Sequence, residues 1–100
     1  MALFKKCRSK IAGTGNCACQ DIPAGTNLGA GITRVARTGD PDRDYRRTPV
    51  GKYTNHSADP NVRYRKQGDS YEFVAKKKIR RGEELTIDYH KFDFEGKRDF

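Results

Sequence analysis

From Val62 onward the chain alternates between its two faces. Val62 and Tyr64 stand opposite Arg63 and Arg65, and Tyr71, Phe73 and Ala75 stand opposite Glu72, Val74 and Lys76. A period of two predicts strands over Val62 to Lys66 and Tyr71 to Lys77. Gln67-Gly68-Asp69-Ser70 supplies the turn of a hairpin. Leu85, Ile87 and Tyr89 share one face of a further strand, Leu85 to Tyr89. Upstream, residues 1 to 12 carry an edge strand and Asn16 to Gln20 a short strand. Thr26 to Arg37 holds Leu28, Ile32 and Val35, and Gly29 and Gly31 permit a bulge or a close approach there. Gly13-Thr14-Gly15 reads as a loop that lets backbone come close to something. Thr38 to Tyr53 is rich in Asp, Arg and Pro and reads as a long loop with room for one helical turn. Lys76 to Arg81 is a charge run and reads as a solvated turn. No helical periodicity is sustained, so the pattern predicts a mostly β domain of short strands.

One pattern occurs twice. Ala18, Ile22, Gly25 and Leu28 have the same spacing as Ala75, Ile79, Gly82 and Leu85. Each copy reads as strand, tight turn, strand, with the glycine supplying a positive φ. Shared turn chemistry accounts for the echo without a duplication.

One hundred residues suit one domain with a modest core. The composition is 34% hydrophobic and 34% charged, and ten aromatics, mostly in the second half, oppose full disorder. No apolar run reaches the length of a membrane helix. Met1 to Lys10 lacks a signal-peptide core, which points to an intracellular protein. The net charge of +8 suits acidic partners, nucleic acid being the generic one. No aromatic-basic motif of a nucleic-acid module accompanies it, so direct nucleic-acid binding is not the expectation. A basic target would need a local acidic groove, for which Asp40, Asp42, Asp44, Asp59, Asp69 and Glu72 are the candidates. Cys7, Cys17 and Cys19 lack the spacing of a zinc site, so no metal is expected, and they read as small buried hydrophobes.

The chemistry concentrates in two stretches. Asn55-His56-Ser57-Ala58-Asp59-Pro60-Asn61 is a polar loop, and Gly82-Glu83-Glu84-Leu85-Thr86-Ile87-Asp88-Tyr89 follows it. Asn-His-Ser-x-x-Pro-Asn with Gly-Glu-Glu-Leu-Thr-x-Asp-Tyr resembles the SET-domain family of protein-lysine methyltransferases. Gly13-Thr14-Gly15, Asp21-Ile22-Pro23-Ala24-Gly25 and Gly51-Lys52-Tyr53-Thr54 resemble the family's other segments, in the same order. The resemblance implies one SET domain over residues 1–100, with a core at about 10–92 and a tail at 93–100. It implies several small curved sheets and a C-terminal pseudoknot that brings the two motifs together, an exception to the rule against threading.

It also implies roles. S-adenosylmethionine would be the cofactor, bound by Gly13, Thr14, Gly15, Asn55, His56 and Phe92. Tyr89 would be the catalytic tyrosine at the end of a lysine channel lined by Tyr53 and Ile87. The partner would be a protein carrying the substrate lysine. Small versions of the family in viruses and bacteria are similar, and some complete their site as homodimers; a viral member would act in the host cell. Asn16-Cys17 departs from the two apolar residues usual in the family, and Gly31 stands near its second active-site tyrosine, for which Tyr45 or Tyr53 are substitutes. Two other readings stand beside the enzyme: an inactive SET fold that binds a partner, and a small basic β-module for nucleic acid.

Overall fold

A computed structural model of the chain describes residues 2–89. Phe92 and the 93–100 tail lie outside the described residues. The order is β1 (Phe4–Arg8), β2 (Thr14–Ala18), β3 (Asn27–Arg34), α1 (Pro41–Asp44), β4 (Tyr45–Arg47), α2 (Pro49–Tyr53), β5 (Asn55–His56), β6 (Val62–Gln67), β7 (Ser70–Ala75) and β8 (Thr86–Ile87). The described residues are mostly β. Strands β1 and β2 form a two-stranded sheet, and the others form a six-stranded sheet ordered β4-β3-β7-β6-β8-β5.

The hairpin expected from alternation is β6 and β7, with Val62 opposite Ala75 and Tyr64 opposite Phe73. Strand β3 pairs with β7 through register shifts at Asn27/Gly29 and Ala30/Ile32, where the glycines permitted a bulge. Gly31 also lets two neighbours in. A Cβ there would run into the Phe73 ring, and one on Gly51 would run into the Gly31 carbonyl, so α2 rests backbone-on-backbone against β3.

The Thr38 to Tyr53 segment is more ordered than a long loop. It holds two short helices and β4. Thr48 caps α2 by accepting from the Gly51 amide at 3.3 Å, and Pro49 occupies its first turn. Asp44 is 2% exposed and accepts from the Thr38 amide and hydroxyl and the Gly39 amide. Burial alone would raise its carboxyl pKa, but those bonds and the Arg34 charge outweigh it and hold the pKa below the ordinary value.

The repeated pattern has a structural cause. Ile22 and Ile79 exchange both backbone hydrogen bonds, at 2.7 and 2.9 Å. Gly82 donates to the Ala18 carbonyl and Gly25 to the Ala75 carbonyl, each at 2.8 Å. The two copies therefore pair with one another about a local two-fold relation. Gly25 and Gly82 have φ of +85° and +89°, as their turns require. Ile22, Ile79, Leu28 and Leu85 join Ala18, Val62, Phe73, Ala75 and Ile87 in one buried cluster.

Three further expectations change. Thr14 and Gly15 lie in β2 rather than in a loop. The strand expected over Leu85 to Tyr89 is only Thr86–Ile87, because β5 and β6 flank it over a short length on each side. Cys7 and Cys17 are not separate small hydrophobes. The β1–β2 register sets Cys7 opposite Gly15, and a disulfide joins it diagonally to Cys17 across a Cα separation of 5.8 Å. Cys19 is a half-buried free thiol.

Candidate functional site

The site is built where the two motifs meet. Strand β8 runs parallel to β5 on one edge and to β6 on the other, so the 57–61 connection between those strands has to cross it. Asn61, 6% exposed, fixes this crossing. Its side chain donates to the Glu84 carbonyl at 2.9 Å and accepts from the Thr86 amide at 2.8 Å. A buried amide that satisfies both of its polar ends is a strong positional constraint, since losing either partner strands a polar group away from water. Ser57 adds a backbone bond to the Ile87 carbonyl at 3.1 Å.

Asn55 links the crossing to the β1–β2 hairpin. Its Nδ2 has three acceptors: Ser9 Oγ at 2.9 Å, the Ala12 carbonyl at 3.1 Å and Glu84 Oε2 at 3.0 Å. Ser9 Oγ itself donates to Glu84 Oε2 at 2.7 Å. The amide nitrogen is thus committed to protein, and the amide oxygen remains as the acceptor it can offer a ligand. Gly15 makes room for this cluster, since a Cβ there would lie 2.6 Å from Glu84 Oε2. Gly13, with φ +49°, and Thr14 are exposed and line an open cavity of about 460 Å³ with Lys6, Cys7 and Arg8.

His56 and Tyr89 form the other half. His56 Nδ1 accepts from the Tyr89 amide at 3.0 Å, which places the proton of a neutral ring on Nε2. The two rings lie 5.1 Å apart. Tyr89 donates its hydroxyl proton to the Thr54 carbonyl at 2.9 Å, leaving oxygen lone pairs for a further donor. Thr54 is fully buried and is held in turn by Asn16, whose amide donates to Thr54 Oγ1 at 3.2 Å and to the Val50 carbonyl at 3.3 Å. The Arg47 guanidinium sits over the Tyr89 ring at 5.2 Å.

The SET-domain family model matches residues 32–90, more than half of the chain. The chain belongs to the SET-domain family of methyltransferases. The search of curated proteins finds no match. Among solved structures, this SET domain is similar to a Plasmodium falciparum protein provisionally named a histone methyltransferase, at a TM-score of 0.71 and 15% identity, over 92% of this chain and 96% of that one. At that identity the likeness speaks for the fold.

Within the SET domain, the fold brings Asn55 and the edge of the Gly13 loop together, and His56 and Tyr89 together. Gly15 meets Glu84 rather than facing open space. It does not bring Tyr53 and Ile87 to one cavity. Ile87, 1% exposed, lines a cavity of about 390 Å³ with Tyr64, Asp88 and Pro60. Tyr53 lines one of about 210 Å³ with Phe4, Asn16 and Val50, under the Lys6 ammonium at 4.3 Å. Four of the six acidic candidates are engaged within the chain. Asp69 pairs with Arg37, Glu72 with Arg65 and Asp40 with Arg43, while Asp44 is buried. Ser9, Asn16, Thr54 and Glu84 position the named residues. Thr54 and Glu84 stand inside the quoted motifs and Asn16 departs from the family pattern, but none of the three was given this role from sequence, and Ser9 carried no signal. Among the described residues no cluster of metal-ligating side chains occurs, and no helix is long and apolar enough to cross a membrane.

Proposed function

We propose that this SET domain is an S-adenosylmethionine-dependent protein-lysine N-methyltransferase in which Tyr89 orients the substrate amine. The observation that carries the reading is one bonded unit. Tyr89, His56, Asn55 and Glu84 are held together by the crossing of the two motifs and reach the Gly13 loop through Ala12 and Ser9.

The residues fit the cofactor's chemistry. Asn55 Oδ1 is an acceptor suited to an ammonium, and the exposed backbone at Gly13 is open to close approach. Lys6 and Arg8 beside that loop suit a carboxylate. Residues 13, 14, 55 and 56 would hold the group; Gly15 would act indirectly, by admitting Glu84. When bound, S-adenosylmethionine supplies a methyl group on a positively charged sulfur, open to in-line attack by a neutral amine.

The chain's own part is to orient the amine and to favour its neutral form, whose proton is lost to water before the amine is enclosed. A free lysine has a pKa of about 10.4, so it is mostly charged near neutral pH. Burial of its amine and the nearby Arg47 charge both disfavour the ammonium. The Tyr89 oxygen, its proton directed at Thr54, accepts an N–H from the amine and aims the nitrogen lone pair without adding charge. Positioning of this kind can supply most of the acceleration such a reaction needs. We read the crossing of β8 as the family's pseudoknot, which makes the site depend on the C-terminal strand.

The test is methyl transfer from isotopically labelled S-adenosylmethionine to lysine-containing proteins of the source cell, read by mass spectrometry. Labelled methyl-lysine is expected with the native chain and loss of most of it with Tyr89→Phe, at unchanged cofactor affinity. Full turnover in Tyr89→Phe would move the role elsewhere.

A further inference from the structure

Cations rather than carboxylates surround the approach to Tyr89. Strand β4 is an edge of the six-stranded sheet. On it Arg47 stands opposite Ile32, and Ile32 stands opposite Tyr71, so the three side chains project from one face. Tyr64 shares that face, two residues from Lys66, the partner of Tyr71. The Arg47 guanidinium lies over the Tyr89 ring at 5.2 Å. Its charge also reaches Tyr64, where burial pushes the phenol pKa up, Tyr89 adds to this and Arg47 opposes it.

Arg47 is exposed, and among the described residues it makes no ion pair. The nearby acidic side chains are committed elsewhere. Glu72 projects from the other face of β7 and pairs with Arg65 at 3.0 Å. Asp69 pairs with Arg37 at 3.0 Å and Asp40 with Arg43 at 3.7 Å, while Asp44 is buried. The cavity beside Tyr64 sets Arg63 and Lys76 against a single carboxylate, Asp88, whose side chain is 14% exposed. A lysine carried by a basic segment would bring like charge to this face. One carried by an acidic segment would give Arg47 the partner it lacks.

We infer that the substrate lysine is presented by an acidic segment of its protein, with an aspartate or glutamate side chain beside it bonded to Arg47. The inference rests on the methyltransferase reading and names the substrate class of that site. A guanidinium can take a carboxylate through two parallel hydrogen bonds, which fixes direction as well as distance. Formed at an exposed edge strand, the pair selects among substrates more than it tightens binding of all of them. The net charge of +8 acts in the same sense at longer range.

The test is methyl transfer to short peptides that differ only in what flanks a central lysine: glutamate, alanine or arginine. The kcat/KM is expected to fall in that order, by roughly 10-fold from glutamate to arginine at low salt, and the spread to shrink at high salt. Arg47→Glu is expected to reverse the order. Arg46→Glu changes the net charge equally from the other face of β4 and is expected to keep it. Any effect of Arg47 on the amine pKa acts on all three peptides alike, so only a lost contact moves their ratio. If no peptide is turned over, calorimetry of each against the S-adenosylhomocysteine-loaded chain is expected to give the same order in Kd. Equal values, no measurable binding, arginine ahead of glutamate, or the native order kept in Arg47→Glu overturns the inference and leaves the methyltransferase reading intact. A folded chain that binds no S-adenosylhomocysteine overturns that reading, and this inference with it.

Discussion

Asn55 Nδ2 lies 3.0 Å from Glu84 Oε2, so the first residue of one motif is bonded to the third residue of the other. The same nitrogen reaches the Ala12 carbonyl, next to Gly13. Asn55 therefore acts both as a tie and as a candidate ligand to the cofactor. Asn55→Ala removes the donor from a half-buried carboxylate, and stability is expected to fall by about 1–3 kcal/mol. Cofactor affinity is expected to fall in the same variant. Asn55→Asp sets a carboxylate beside Glu84 and is expected to be worse on both counts. Urea denaturation and calorimetry separate the two effects, and an Asn55→Ala protein with native affinity would make the residue a tie only.

The glycines divide by what surrounds them. Gly31→Ala forces a methyl into the ring of Phe73, itself 2% exposed and unable to retreat. Overpacking of this kind is expected to cost about 1–3 kcal/mol. Gly13→Ala meets nothing within 4 Å but keeps a φ of +49°, so its cost is conformational, about 1–2 kcal/mol. Urea midpoints of the two variants check both values.

Much of the architecture was readable because it follows from local rules. Alternation marked β6 and β7, and the echo of Ala18 to Leu28 in Ala75 to Leu85 marked two turns that the fold pairs with each other. The α2 start at Thr48-Pro49 went unread, because it lies inside a polar segment that reads as a long loop. Side-chain ties between distant segments leave no periodic trace. Glu84 reads as one of two acidic turn residues, and nothing local says that it faces Ser9 and Asn55 while Glu83 faces solvent. Tyr64 reads as the buried face of a hairpin, and only the parallel pairing of β6 with β8 sets it beside Ile87. The disulfide was missed for a similar reason, since it needs the hairpin register as well as the spacing of Cys7 and Cys17.

That disulfide closes the hairpin that carries Ser9 and Ala12. Cytosolic thiols keep such bonds reduced, whereas oxidising compartments preserve them. With a sequence separation of 10 between the cysteines, its loss is expected to cost about 2–3 kcal/mol on the chain-entropy account. Urea denaturation with and without reductant measures this, and the Cys7→Ser/Cys17→Ser double variant should match the reduced protein.

Among the described residues, three carboxyls are held below their ordinary pKa. For Asp21 the chief cause is the Arg81 amide, and for Glu72 it is the Asn27 side chain followed by Arg65. For Asp44, burial acts in the opposite direction and is outweighed by the Thr38 and Gly39 bonds and Arg34. A depressed folded pKa means that the unfolded chain binds more protons as the pH falls through this range. Their contribution is therefore complete above the unfolded value near 4 and is lost as pH falls through the folded values. Thermal midpoints are expected to hold from neutral pH to about 5 and to drop steeply below 4. Asp44→Asn is expected to lower the midpoint at neutral pH and to flatten that drop.

The most direct measurement is calorimetric titration of the folded chain with S-adenosylmethionine and S-adenosylhomocysteine at moderate salt. One saturable site per chain for both ligands, weakened in Asn55→Ala, is the expected result. A folded protein that binds neither would contradict the assignment of Asn55, His56 and the Gly13 loop as a cofactor site.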